Sequence, residues 1–508
     1  MDWLQAVDAP KALSNVHADI LGDWYRDPWS WPELTWVVQD APELLSARLN
    51  ERGARRAVPI DVPKENFVTR PAVLLDPLDR LSYQALVDRI SARLIGKLRG
   101  WAYGWRLSRT EPAPGNYVRN SSEWTLYRER LRYLAAKSRH GLATDIVSFF
   151  ASIDIARLID DVRGATGDND LVRRLEDFLQ SLQAIPGRTG LPQRCWASSV
   201  LAHFCFAPID EFLDGRLPDS GLFSSPSPSV VRWMDDIWVF GQDSMMLRLL
   251  QMDLQELLRR RGLNMNTGKT EVLEGQELLE RAREIEHSAV DGALEGDAPD
   301  LGPLQQLVDK LLARPEVASR TSLRFATTRI RSHEAYELVP AFVEAALRLP
   351  HAADHLARML RDSEIWRELG EWYVENSRRY NHSLTWTMYH LGTMFPSDEK
   401  PSDALVQYWI EDLVKGDLPL LHVPLAAQRL SAWDAQAARA AIREAARQPA
   451  YQHPFVTRAL ALAGRSAGVS PTDVRQLLGQ FAETDVTHKF LAARSMKAVK
   501  PAPDFAGL

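Results

Sequence analysis

The chain has 508 residues, a formal net charge of −6, 45% hydrophobic and 25% charged residues. That profile excludes a disordered chain, and at about 100–200 residues per domain it allows two to four folded domains. Cys195 and Cys205 are the only cysteines, too few for a disulfide framework or a cysteine-based zinc site, so a reducing, cytoplasmic setting is expected. "MDWLQAVDAPKAL" has no basic start followed by an apolar run, and no stretch of about 18 apolar residues occurs, so neither a signal peptide nor a membrane span is expected.

Residues 1–50 contain "DWYRDPWSWPELTW", dense in tryptophan and proline, which predicts an irregular packed, aromatic-rich arm. "SYQALVDRISARLIGKL" predicts a helix, with Ala85, Ile90, Leu94 and Leu98 on nearby faces. From Arg89 to Arg109 there are six basic residues and no acidic one, and basic residues again dominate from Arg119 to His140. Trp101, Tyr103, Trp105, Trp124 and Tyr127 are interleaved with them. Such a mixture suits phosphate neutralisation with base stacking, or a solvated basic face over a half-buried aromatic core.

"GLATDIVSFF" predicts a strand ending near Asp145, and "SVVRWMDDIWVFG" two short strands joined at Asp235 and Asp236. "LRLLQMDLQELLRRRG" predicts an amphipathic helix closed by Gly262. The acidic stretch 286–303 reads as a linker between a mixed region at 51–285 and a helical region at 304–508. In the latter, helices of about 10–16 residues are punctuated by Pro, Gly or Asp without a strict period, as in a degenerate HEAT-like array. The expected class is α+β followed by an all-α repeat domain.

Adjacent acids in a hairpin are either ordinary turn residues or a platform for a divalent cation. Two carboxylates side by side repel, and a cation removes that cost. Asp145, at the end of an apolar strand, is the candidate third acid. Three such groups suit a two-metal phosphoryl-transfer site.

Four stretches follow in order: "DIVSFFASI" (145–153), "GLPQRCWASSVLA" (190–202), "RWMDDIWVF" (232–240) and "GLNMNTGKT" (262–270). In this order and spacing they resemble the palm of reverse transcriptases. "RPAVLLDPLDRLSYQAL" (70–86) is similar to the family's fingers motif, and "YGWRLS" (103–108) to the segment after it. The resemblance implies right-hand fingers and palm over 51–285, and an RNA-directed or template-independent DNA polymerase. It implies that Asp145, Asp235 and Asp236, with the Ile146 carbonyl, hold Mg²⁺ (or Mn²⁺). Lys269 matches the lysine that serves the leaving pyrophosphate. Phe150 falls where a steric gate selects dNTPs. Arg70, Gln193 and Ser198 match nucleotide contacts, and Arg80, Trp233 and Arg194 fall where the nucleic acid runs. Two positions depart from the pattern: Trp233 replaces the usual tyrosine and Arg194 the usual glycine, which puts ordinary templated copying in doubt.

A reverse-transcriptase core joined to a HEAT-like half resembles the bacterial abortive-infection and defence-associated group. That resemblance implies phage defence and a DNA product. Priming from a protein tyrosine, a noncoding RNA partner and a homo-oligomer are further properties of that group. Tyr25, Tyr373, Tyr380, Tyr389 and Tyr408 are the candidate tyrosines. RNA-templated cDNA synthesis and a catalytically idle scaffold are the rival expectations.

Overall fold

The computed structural model describes residues 3–111, 113–216, 229–283, 285–294 and 299–493. Two compact units result, each assembled from separated stretches of chain. The first draws on Met1–Asp23, Asp40–Ala57 and Pro77–Ile285, the second on Trp24–Gln39, Val58–Asp76 and Glu286–Leu508. Strands among the described residues are β1 (Val58–Pro63), β2 (Thr69–Leu74), β3 (Ala102–Tyr103), β4 (His140–Thr144), β5 (Val230–Trp233), β6 (Asp236–Gly241) and β7 (Glu271–Glu274).

In the first unit five strands form one sheet in the order β3-β5-β6-β4-β7. Only β3 and β5 run parallel; the other pairings are antiparallel. All five residues of β4 are buried, as befits a strand with neighbours on both sides. Period-two alternation in β6 sends Trp238 and Phe240 to one face, where they pack with Tyr127, Leu131, Leu134 and Leu278. Gly141 makes room there: a Cβ at that position would sit 2.6 Å from Leu278 Cδ1 and push that side chain aside. Helix Ser244–Arg260 packs against β4 and β6, with its first turn capped by the Asp243 carboxylate. Helix Pro77–Ile95 is buried along most of its length, between helices Ala9–Ile20 and Trp196–Cys205.

The second unit is helical apart from the β1–β2 hairpin. Helix Arg320–Ser332 packs on Ala353–Asp362, which packs on Thr385–Gly392; Gly370–Tyr380 packs on Asp403–Lys415, which packs on Ala435–Ala445. Each helix thus meets the one two places further on, giving two layers. The part of the aromatic arm at Trp24–Gln39 lies in this unit. Trp24 presents its carbonyl to Trp386 Nε1 at 2.8 Å and His390 Nε2 at 3.0 Å, and Arg26 presents its own to the Tyr389 hydroxyl at 2.6 Å. Tyr25 stacks on Tyr389 and meets Phe455 edge-on. Arg458 is buried 3.9 Å above the Trp31 ring and binds both Asp27 and Glu33 at 2.7–2.9 Å. Burial pushes Glu33 up, but Arg458 overrides it and holds the carboxyl below its usual range. At Asp27 the loss of solvation wins and the carboxyl is raised.

Two sequence expectations change. The arm is not irregular throughout: Ala9–Ile20, Pro32–Asp40 and Pro42–Asn50 are helices. Proline suits a first helical turn, and Glu33 behind Pro32 favours the helix N-terminus. The stretch 286–303 is not a plain linker either. Ile285–Leu294 and Gly302–Ala313 are helices, and Val290 and Leu294, one turn apart, are buried. The acidic residues masked that spacing. Residues 295–298 of the expected linker, and 494–508 of the helical half, lie outside the described residues.

Removing Arg458 leaves two buried carboxylates without their shared cation. Arg458→Met is therefore expected to cost about 3–5 kcal/mol in urea unfolding of the full chain. Adding Asp27→Asn and Glu33→Gln should recover much of the loss.

Candidate active site

The acidic hairpin is built from beneath. Trp233 pairs with Asp236, which leaves Met234 and Asp235 as a two-residue turn. Met234 is left-handed, with φ 52°, a conformation that tight hairpins need and glycine usually supplies. Arg232, fully buried, holds it there by donating to the Met234 carbonyl at 2.7 Å. The same guanidinium grips Asp210 with two bonds, 2.9 Å from Nε and 2.6 Å from Nη2. It also lies 4.7 Å from the Phe206 ring centre. His203 Nδ1 sits 3.3 Å from Arg232 Nη1. Burial and the Arg232 charge push this histidine well below its usual range. Since arginine only donates, Nδ1 accepts and the ring is neutral.

Asp145 follows directly on β4. Its carbonyl accepts from Asn266 N–H at 2.8 Å, and the Val147 N–H donates to the Asn264 carbonyl at 2.9 Å. These bonds face away from β6. Carbonyls alternate along extended backbone, so that of the intervening Ile146 turns to the β6 flank; the Ile146 side chain is buried. Both Asp145 oxygens have partners: Lys269 Nζ donates to Oδ2 at 2.6 Å and Asn266 Nδ2 to Oδ1 at 3.2 Å.

The four charged groups feel one another. Asp235, half-buried, is pushed up to about 7, first by lost solvation and then by the charge of Asp145, with Asp236 adding to it. Asp236 meets solvent on one side, yet protein packed around the rest raises it to about 6, with Asp145 pushing the same way. The Tyr127 hydroxyl donates to Asp236 Oδ2 at 3.2 Å and opposes that rise. Burial works against a charged Lys269, but the hydrogen bond and charge of Asp145, with Asp236 and Asp235, prevail and raise it. Hard carboxylate oxygens with unneutralised like charge fit a divalent cation such as Mg²⁺. Among the described residues no three His, Cys, Asp or Glu side chains converge tightly enough to enclose an ion. In this conformation the positive charge at Asp145 comes from Lys269.

Phe150 is half-buried behind buried Phe149. Its carbonyl accepts from Leu191 N–H at 2.8 Å, which ties the loop 190–194 to it. Gly190, φ 69°, allows that approach; a Cβ there would lie 2.0 Å from the Phe150 oxygen. Gln183 clamps Gly190 with paired bonds, its amide donating to the carbonyl at 2.9 Å and accepting from the N–H at 3.1 Å. Gln193 is half-buried and Arg194 exposed on the same loop. Arg194 keeps a glycine-like conformation, with φ 58°.

Three assignments change. Ser198 is fully buried and bonds the Tyr83 hydroxyl at 3.0 Å, so it packs the helix Trp196–Cys205 instead of meeting a nucleotide. Arg80 is buried, binding Asp19 at 2.8 Å, Asp23 and the Arg194 carbonyl. Its donors brace the loop from inside, which leaves it a structural cation. Trp233 is half-buried among Trp105, Trp124 and Tyr127, at 4.9–5.9 Å between ring centres, so its plane is spent on protein packing. Arg70 lies in the second unit, on β2, with its guanidinium 5.6 Å from the Trp24 ring centre.

No site role follows from the sequence for Arg232, Asp210, Asn266 or Gln183, and Tyr127 figures there only among the aromatics of the basic stretch. Each acts on a partner far along the chain, apart from Gln183, whose polar side chain in an amphipathic helix looks like ordinary solvated surface.

No helix among the described residues is long and apolar enough to cross a membrane. No curated protein matches the chain. Residues 62–290 match the family described as reverse transcriptase (RNA-dependent DNA polymerase). That span contains Asp145, Lys269 and the whole acidic hairpin, so the chain carries a reverse transcriptase domain over residues 62–290, a domain type that implies nucleic-acid polymerase activity.

Proposed function

We propose that this chain is a Mg²⁺-dependent DNA polymerase that joins dNTPs into DNA in antiphage defence. The carrying observation is the mutual electrostatic influence of Asp145, Asp235, Asp236 and Lys269 at one end of the sheet. Asp145 and Asp235, with Asp236 and the Ile146 carbonyl, would hold Mg²⁺ or Mn²⁺, which supplies charge neutralisation on a triphosphate and a more acidic attacking hydroxyl. The 3′-hydroxyl would give its proton to solvent as its oxygen bonds to the α-phosphorus and the bond to pyrophosphate breaks. Lys269, released from Asp145, would hand its proton to the departing pyrophosphate. Phe150 would stand against a ribose 2′-hydroxyl and favour dNTPs, and Gln193 would orient the incoming base.

Synthesis without a conventional template is supported by Arg194, a long cation on the loop where the family pattern has glycine. A second reading, copying of a bound RNA, is favoured by the description of the matched family. Sequencing the product separates them: random or homopolymeric DNA favours the first, and DNA complementary to a co-purified RNA the second. Priming on Tyr25, Tyr373, Tyr389 or Tyr408 would need local opening, because all four are buried. Tyr380 is half-exposed. The defence role is supported by the union of this domain with a layered helical unit, which we take to be HEAT-like and a site of assembly.

Asp145→Ala and Asp235→Ala should each lower incorporation of labelled dNTP by at least about 10³-fold, the scale lost when a principal electrostatic group of a transition state is removed. Incorporation at the wild-type rate by the double variant rules out this site.

A raised carboxyl destabilises the folded state where the unfolded chain is already ionised. For Asp235 this penalty grows from about pH 4 and is complete above about 7. Asp235→Asn should therefore match the wild type in Tm near pH 4 and exceed it by a few degrees at pH 8, measured without Mg²⁺. Added Mg²⁺ should narrow that gap.

Tyr127→Phe removes a bond that favours ionised Asp236. The acidic limb of the kcat–pH profile should move to higher pH, with Tm nearly unchanged. An unmoved limb denies Tyr127 this role.

A further inference from the structure

We infer that one exposed edge of helix Asn120–Lys137 is a track for single-stranded DNA leading to the acidic hairpin. The inference rests on the polymerase reading above and names the partner of that site. Trp124 is 42% exposed, unusual for so large an apolar ring. Its indole meets Trp233 edge-on at 4.9 Å and lies 5.3 Å from Tyr127. Trp233 is the residue paired with Asp236 in the hairpin, and the Tyr127 hydroxyl bonds the Asp236 carboxylate. The open ring is thus one aromatic layer away from the acids.

From Trp124 the same edge continues at four-residue steps through Arg128 and Arg132, about 6 Å of rise per step. The Arg128 guanidinium sits 5.9 Å from the Trp124 ring centre. Of the nearby carboxylates, Glu123 is buried and bound by Arg106 at 2.6 and 2.8 Å, while Glu129 is exposed three residues before Arg132 and flanks the far end of the row. A partly exposed indole followed by a row of cations fits a polyanion with flat faces to stack. A duplex keeps its base faces hidden inside its own stack, so Trp124 selects the single strand.

The test uses the full chain and fluorescence anisotropy with a labelled oligothymidylate, at low and moderate salt. Trp124→Ala should weaken binding about tenfold, the scale of one lost base stack, and Trp124→Phe should recover most of it. Arg128→Gln with Arg132→Gln should reduce the slope of log affinity against log salt by about 1.4. Wild-type binding by both Trp124→Ala and the double glutamine variant overturns the inference, as does a duplex of equal length that binds as well and with equal dependence on Trp124. Asp145→Ala separates the two claims. If wild type incorporates dNTP but binding ignores Trp124, the track falls and the polymerase stands. If nothing incorporates dNTP yet binding needs Trp124 and the arginines, the surface stands and the polymerase falls.

Discussion

One buried guanidinium sets the geometry on which the acidic site depends. Arg232 has no solvent contact and spends its donors on Asp210, the Met234 carbonyl and His203. A buried ion pair is weak evidence for stability, because desolvation cancels much of the attraction. Its value here is positional. The bond to the Met234 carbonyl draws the turn inward and fixes where Asp235 and Asp236 leave the sheet. The neutral His203 adds an acceptor without adding charge, so the pocket below the hairpin stays close to balanced while the rim above it does not.

The rim is constrained in the opposite sense. Asp145, Asp235 and Asp236 crowd one end of the sheet, and the nearby compensation is Lys269. An ammonium on a long flexible stem is a counter-ion that can leave. It neutralises Asp145 in this conformation. Asn266 steadies the same carboxylate without charge. Sheet register places the acids, and the loop 264–269 supplies both their tether and their movable charge.

Much of this was legible in the residues. The strand before Asp145, the hairpin around Asp235 and Asp236, and the register of Lys269 follow from apolar runs, turn chemistry and motif order. Motif order carries no burial, however. Ser198 and Arg80 occupied the expected positions and turned out to face inward, onto Tyr83 and onto Asp19 and Asp23. Nothing local marks Arg232, because its partner, Asp210, lies on a separate helix. The arm was misread for a related reason. Its tryptophans and prolines signal packing, but the packing surface, from Trp386 to Phe490, lies hundreds of residues away. Non-local partners also explain why each unit is assembled from separated stretches of the chain.

Backbone strain marks the same place independently of any motif. In the first unit, the described non-glycine residues with left-handed φ are Trp105, Ser148, Arg194 and Met234. Each such residue costs on the order of 1–3 kcal/mol and persists only where its surroundings over-determine it. Ser148 follows Asp145 within the same turn, Arg194 closes the loop tied to Phe150, Met234 precedes Asp235, and Trp105 packs 5.9 Å from Trp233. Their restraints are visible: Arg232 holds the Met234 carbonyl, Arg80 the Arg194 carbonyl, and Asn120 Oδ1 accepts from the Trp105 N–H at 3.0 Å. Glycine would meet the same conformations at less cost, so a side chain at each point is kept against a local penalty. At Arg194 that side chain is a cation reaching solvent from the loop beside Phe150. The strain gathers around the acidic hairpin and the loop beside Phe150, and the contacts that sustain it are not given by motif order.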